Sequence, residues 1–299
     1  MSVIQIVLPD FLLIALGWLL LNCLGFSGDF FRGAEKLVYY ILFPALLFSS
    51  ITQAPINVGA ATSLFIATIS ILACGLVAAW LSIPVLKPDP RQYASVAQCG
   101  YRFNTYIGLS LAINMGGAPA QAVMALVTGF AVPLANILAV RALARQSGAP
   151  PWLEMLKNPL IGATLLALAF NIAGLALPQT ISTLFGRMGS GAVILGLLCV
   201  GASISRVEGA HAAKLVGWLT VVKLVISPLA ALIIGWAMGF STLERQVLLL
   251  FGALPTASSA YVLTVRMRGD GRIVAMTTSL GTILAALSIP VWLTIGNHF

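Results

Sequence analysis

The chain has 299 residues, 60% of them apolar and only 8% charged, with a mean hydropathy of +1.02. Soluble domains carry roughly 25% charged residues to face water, so this chain cannot cover itself in water and lipid is the implied solvent. The net charge of +8 does not point to nucleic acid, because the basic residues are scattered between apolar runs and form no stripe with aromatic neighbours.

A membrane span needs about 20 mostly apolar residues, with Gly, Pro or charge at its ends. In chain order this rule predicts spans at about 3–24, 34–52, 58–86, 92–115 and 120–145, then 159–177, 180–205, 212–239, 243–267 and 273–298. The N-terminus has no basic region or cleavage site of a signal peptide, so it is expected to enter the first span directly. Cys23, Cys74, Cys99 and Cys199 show no ligand spacing and read as small core residues.

Loop charge tests the count. Every second connection, starting after span 1, carries Arg32 and Lys36; Lys87 and Arg91; Arg141, Arg145 and Lys157; Arg206 and Lys214; and Arg266, Arg268 and Arg272. The opposite connections and both termini carry only Arg245. Basic loops stay in the cytoplasm, which places both termini outside.

The chain also repeats itself. Arg91-Gln92 opens span 4 and Arg245-Gln246 opens span 9, an offset of 154 (245 − 91). At that offset Asn104-Thr105 falls on Ser258-Ser259, and Gly116-Gly117 on Asp270-Gly271. The resulting fold class is an all-α membrane protein of ten transmembrane helices in a 5+5 inverted repeat. Residues 1–146 form the first repeat, 147–158 a cytoplasmic linker and 159–299 the second. Inverted repeats are typical of secondary transporters, with substrate sites near the midplane on interrupted helices.

Spans 4 and 9 are the expected broken pair. Span 9 holds Pro255-Thr256-Ala257-Ser258-Ser259, where proline removes a donor and clashes with the preceding turn. Span 4 has no proline, but Gly100 and Gly108 bracket Arg102, Asn104, Thr105 and Tyr106. Arg102 lies 11 residues beyond Arg91, and Lys223 11 beyond Ala212. At 1.5 Å per residue both are about 16 Å deep, near the middle of a hydrocarbon core of about 30 Å.

A charge at that depth costs at least about 2.5–3.5 kcal/mol and needs a partner or a water-filled cavity. The acid inside a span is Asp10, placed near the outer end of span 1, so the cations lack an obvious carboxylate. Arg102 reads as an anion-binding or gating residue. Lys223 reads equally as a neutraliser of helix C-terminal carbonyls or as a substrate attractor. Arg187 reads as a residue snorkelling to headgroups. Asn104, Thr256, Ser258 and Ser259 could bond helix to helix, but their clustering at both expected breaks favours a ligand site. Half-helix N-termini there would aim N–H groups at an anion.

Enzyme chemistry finds no constellation. The histidines are His211 and His298, with no HExxH, and Asp10 has no buried aspartate partner. A carrier is preferred over a receptor or sensor of organic anions because broken midplane helices suit alternating access. No cofactor is expected. The lack of a buried carboxylate pair argues against proton-exchanger chemistry, while neutral oxygens of Thr256, Ser258 and Ser259 leave sodium open as a coupling ion.

Arg102-Phe103-Asn104-Thr105-Tyr106-Ile107-Gly108-Leu109 and Pro255-Thr256-Ala257-Ser258-Ser259-Ala260-Tyr261-Val262-Leu263, with Lys223, Pro228 and Pro290, resemble the bacterial members of the auxin efflux carrier family. The resemblance implies a fold shared with bile-acid/sodium symporters. Spans 1, 2, 6 and 7 (about 3–52 and 159–205) would form a scaffold, and spans 3–5 and 8–10 (about 58–145 and 212–298) a moving transport domain. It also implies elevator-type alternating access in the cell inner membrane, carboxylate substrates such as malate, malonate or an auxin-like acid, and homodimers through the scaffold. The substrate site it implies comprises Arg102, Asn104, Thr105, Tyr106, Pro255, Thr256, Ser258 and Ser259, with Asn104 on the carboxylate and Lys223 in charge compensation or gating. The chain departs from the plant relatives in lacking their long central loop and a proline in span 4.

Overall fold

Helix follows helix along the chain, as an apolar sequence in lipid must arrange it so that every backbone polar group finds a partner within its own segment. The computed structural model describes residues 3–52, 58–144, 159–204, 213–257 and 259–298, and no strand occurs among them. The Arg145, Lys157, Arg206 and His211 positions and the expected linker lie outside the described residues.

The first half holds α1 (Val3–Asn22), α2 (Gly28–Thr52), α3 (Val58–Trp80, with a short helical continuation Ser82–Leu86), α4 (Pro90–Val96, tightening into a 3₁₀ turn Ala97–Gly100) and α5 (Thr105–Ala144). The second holds α6 (Pro159–Ile172), α7 (Gln179–Ala202), α8 (Ala213–Ala237), α9 (Thr242–Ala253), α10 (Ser259–Arg266) and α11 (Gly271–His298). Six helical stretches among the described residues are long and apolar enough to cross a membrane: 28–52, 61–86, 90–143, 179–202, 213–237 and 271–297.

Local chemistry explains the helix ends. Ser27 Oγ accepts from the Phe30 amide, so α2 starts earlier than residue 34, on a polar first turn in which Arg32 pairs with Asp29. Asp89 caps α4 through the Arg91 and Gln92 amides, both at 3.0 Å, with Pro90 preset for a first helical turn. Ser241 and Glu244 form a capping box on α9. α6 stops at Ile172, short of the expected 177, because Gly174 turns left-handed (φ 65°) and the Leu175 amide returns to the Phe170 carbonyl at 3.0 Å.

Two helices carry π turns, each next to a proline: Val38–Leu42 before Pro44 and Val222–Ile226 before Pro228. Proline cannot bond to the carbonyl four residues back. At Pro228 that carbonyl belongs to Leu224, and the Trp292 indole donates to it at 2.8 Å. The wider turn also carries Lys223.

Apolar burial does not drive helices together in lipid, so close backbone approach matters more. The α1–α7 crossing shows this: a Cβ on Gly17 would lie 2.1 Å from the Leu198 carbonyl oxygen, and one on Gly201 1.8 Å from that of Ile14. Large apolar side chains such as Leu165, Leu287 and Val85 line the outer surface. The centre is filled by Ile107, Leu109, Leu111, Phe251 and Leu254. Cys99 and Cys199 belong to the buried set as expected, whereas Cys23 and Cys74 are exposed on the outer surface; all four thiols are free.

Candidate functional site

Between α4 and α5 the helix is interrupted without proline. The Tyr101 and Arg102 amides both return to the Gln98 carbonyl, at 3.2 and 2.8 Å, and residues 101–104 leave helical geometry. The chain re-enters helix at Thr105 because Asn104 caps α5, its Oδ1 accepting from the Tyr106 and Ile107 amides at 3.1 and 3.3 Å. Between α9 and α10 proline makes the break. Leu254, preceding Pro255, is extended (φ −61°, ψ 136°), as a residue before proline prefers, so α9 ends at Ala253.

The two interruptions cross in contact. The Asn104 amide donates to the Pro255 carbonyl at 2.7 Å, and Thr256 Oγ1 donates to the Cys99 carbonyl at 2.8 Å. Each break thus supplies a partner that a continuous helix would otherwise provide. Two helix N-termini, those of α5 and α10, face this crossing with their partial positive charge.

Arg102 is 8% exposed and is held between the halves: Nη1 donates to Gln98 Oε1 at 3.0 Å and Nη2 to Ser259 Oγ at 3.1 Å. Gln98 in turn donates from Nε2 to Thr264 Oγ1 of α10 at 2.8 Å and to the Ser95 carbonyl at 2.9 Å. The guanidinium therefore reaches the start of α10 along a ladder of neutral partners, with its positive charge unneutralised by any of them. The Arg32–Asp29 ion pair lies far from it along the chain.

Asn104 is fully buried, and its Nδ2 has no partner among the described residues. Its orientation follows from the two amides that bond Oδ1, so two N–H donors are left unmet at the crossing. A buried donor without an acceptor costs about 1–3 kcal/mol, a strain that an anionic ligand would relieve. The buried Tyr101 hydroxyl likewise lacks a partner.

Lys223 takes the opposite end of the electrostatics. Its Nζ donates to the Gly252 carbonyl at 3.2 Å, in the last turn of α9, where unpaired carbonyls carry partial negative charge. Thr256 bonding the Cys99 carbonyl serves the C-terminal end of α4 in the same way.

The other sequence-derived candidates separate. Tyr106 packs edge-on against Phe43 of α2 (5.0 Å between centroids), and a Cβ on Gly196 of α7 would strike its ring at 2.6 Å. It therefore joins the crossing to α2 and α7. Thr105 opens α5 and is half-buried; Pro255 is buried; Ser258 lies outside the described residues. Arg187 is exposed on α7, apart from the crossing. Sequence reasoning missed Gln98, Tyr101 and a crevice beside Thr256, lined by Ser203 at the C-cap of α7 and by Thr278, Ser279 and Thr282 of α11. Four hydroxyls over Thr277-Thr278-Ser279 and Thr282 in an apolar helix were the available signal for that crevice.

An all-helical chain with several membrane-length helices and two interruptions meeting in its interior defines a multi-pass membrane transport protein. The chain belongs to the auxin efflux carrier-type membrane transport family: the family described as "Membrane transport protein" matches residues 143–293. It is 22% identical over 308 residues to the uncharacterized transporter YfdV of Escherichia coli (strain K12), covering 96% of this chain and 95% of that protein. It is 30% identical over 135 residues to an uncharacterized transporter of Methanothermobacter thermautotrophicus, covering 45% and 44% of the two chains.

Proposed function

We propose that the protein is a secondary transporter of small organic carboxylates, which it holds at the crossing of two broken helices and moves by alternating access. The observation that carries this reading is the pair of unmet Asn104 Nδ2 donors, fully buried between two helix N-termini and beside Arg102. A carboxylate has the shape and charge to accept from all of them, and charge-assisted bonds of this kind are about twice as strong as neutral ones. Asn104 binds the carboxylate; Arg102, Thr256 and Ser259 complete its surroundings, with Ser258 beside them in sequence. Lys223 compensates the α9 C-terminus and so keeps the positive field at the crossing directed at the ligand.

The ten-span inverted repeat is part of the same reading. The 54 residues from Pro90 to Leu143 would extend about 80 Å, more than twice the hydrocarbon thickness, and so require two passes. The turn between those passes is at Gly116-Gly117, where Gly117 (φ 65°, ψ −157°) adopts a conformation open to glycine alone. Together with α1, α6 and the α9–α10 pair this supports ten spans. The offset of 154 carries Thr105, where α5 begins, onto Ser259, where α10 begins (105 + 154 = 259). Elevator motion would then slide α3–α5 and α8–α11 against α1, α2, α6 and α7.

The test is a thermostability screen of the purified protein with malate, malonate, acetate and indole-3-acetate, followed by counterflow in proteoliposomes. A carrier shows a rise in Tm with one of these acids and trans-stimulated uptake of it. No shift and no flux with any carboxylate would overturn the reading.

A further inference from the structure

A carboxyl lies buried within the helices and has no part in the crossing. Asp10 of α1 is 4% exposed; its Oδ1 accepts from Ser110 Oγ at 2.7 Å, and its Oδ2 has no partner among the described residues. An ionised carboxylate in such surroundings calls for a cation or several donors, and this one has a single hydroxyl. α1 packs against α5, α7 and α11. Their titratable and charged groups are Tyr106 and Arg141 on α5, Arg187 and Cys199 on α7, and Arg272 on α11, while Cys23 follows the end of α1. None of these is hydrogen-bonded or ion-paired to Asp10; the His298 side chain, at the end of α11, lies outside the described set. A metal cation does not suit the place either. A hard divalent ion takes six or more oxygen ligands, and one hydroxyl accompanies this carboxyl.

The position gives the group a use. Ser110 lies five residues beyond Thr105, on the half-helix whose N-terminus and Asn104 cap face the crossing. Asp10 belongs to α1, whose closest packing is with α7. The Asp10–Ser110 bond therefore joins the helix pair α1–α7 to one of the two interrupted spans, and any movement of that span relative to α1 must break or remake it.

We propose that Asp10 is a proton-binding site, and that the proton it carries couples carboxylate movement to the pH gradient. Oδ2 takes a proton from water on one side and the carboxyl becomes neutral. When the Ser110 contact is remade or broken in the cycle, the proton leaves to water on the other side. The coupling rests on the carboxylate-carrier reading, whereas proton binding at Asp10 does not.

Two measurements separate these. In ligand-free protein, pH-difference infrared spectra should show the C=O band of a buried protonated carboxyl appearing on acidification. Asp10→Asn should delete that band, and Ser110→Ala, which takes away the hydrogen bond, should move it to higher frequency. Should Asp10→Asn fail to fold, the Ser110→Ala shift alone carries the assignment. A band unchanged in both variants, or no titrating carboxyl in the wild type, overturns the site. In proteoliposomes loaded with a pH-sensitive dye, addition of malonate or malate should acidify the lumen of wild-type vesicles and not those of Asp10→Asn. One proton per cycle lets a pH difference of about one unit sustain about a tenfold substrate gradient. Equal uptake in wild type with and without the pH difference overturns the coupling. Absence of any malonate or malate flux removes the coupling together with the carrier reading, while the infrared band still decides the proton site.

Discussion

The two interruptions do the same geometric job by different means. At 254–257 covalent geometry makes the break: Pro255 lacks an amide hydrogen and forces Leu254 to be extended. At 101–104 no residue forbids a helix, and the break is held by polar side chains, with Asn104 capping α5 and Arg102 reaching Gln98 and Ser259. The break at 101–104 is therefore built from the same groups that are offered to the ligand, so substitutions there alter structure and binding together. The break at 254–257 separates the two roles, since its proline sets the backbone while the Thr256 hydroxyl bonds across the crossing.

The largest effect is expected at Asn104. Asn104→Ala removes the α5 cap and both free donors. Carboxylate binding should weaken about 10- to 100-fold, the loss of a hydrogen bond to a charged group, and stability should fall by about 1 kcal/mol. Asn104→Asp retains an oxygen for the cap and replaces the donors by a negative group. Its thermal unfolding should stay nearer to wild type while binding is lost, so titration of both variants by thermal shift separates cap from donor.

Arg102 comes next. Arg102→Ala should lower anion uptake, by less than Asn104→Ala, with insertion intact, and Arg102→Lys should recover part of it, because lysine cannot keep two directed bonds to Gln98 and Ser259. Normal uptake by the alanine variant would show that the guanidinium only ties the halves together.

Lys223→Met tests the far pole. It leaves the Gly252 carbonyl without its cation and should lower stability by about 1–2 kcal/mol, with a smaller loss of affinity than at Arg102. A variant as stable as wild type but dead in uptake would instead make Lys223 a ligand-facing residue.

The smallest effect is expected at Pro255→Ala. Pro255 sets the break, but the Asn104–Pro255 backbone bond and the Thr256–Cys99 bond also hold it open from across the crossing without the ring, so amide protection at 254–257 should change little and uptake should stay near normal. A helix that heals across this segment, read as new amide protection, would show that proline alone maintains the second break.

Much of this organisation was legible in the residues, and the reasons are physical. Apolar runs of span length, proline in the ninth span and a charged cluster between two glycines in the fourth each carry a local cost that only a membrane and an interrupted helix relieve. The end of α6 is not legible in the sequence because apolar Leu175 and Leu177 continue the run past the left-handed Gly174. That Asp10 meets Ser110 is not legible either, since position along one helix does not reveal which neighbour covers it.

By itself, then, the amino-acid order determined an all-helical membrane class, the places where two helices could not continue and the presence of cations within apolar segments, because these follow from hydropathy, backbone geometry and spacing within single segments. Only the tertiary structure decided that Asn104 meets Pro255, that Lys223 takes the α9 carbonyl rather than an acid, and that Asp10 bonds Ser110. Those contacts join residues 151, 29 and 100 positions apart (255 − 104, 252 − 223, 110 − 10). No periodicity within one helix encodes which face of another it will touch.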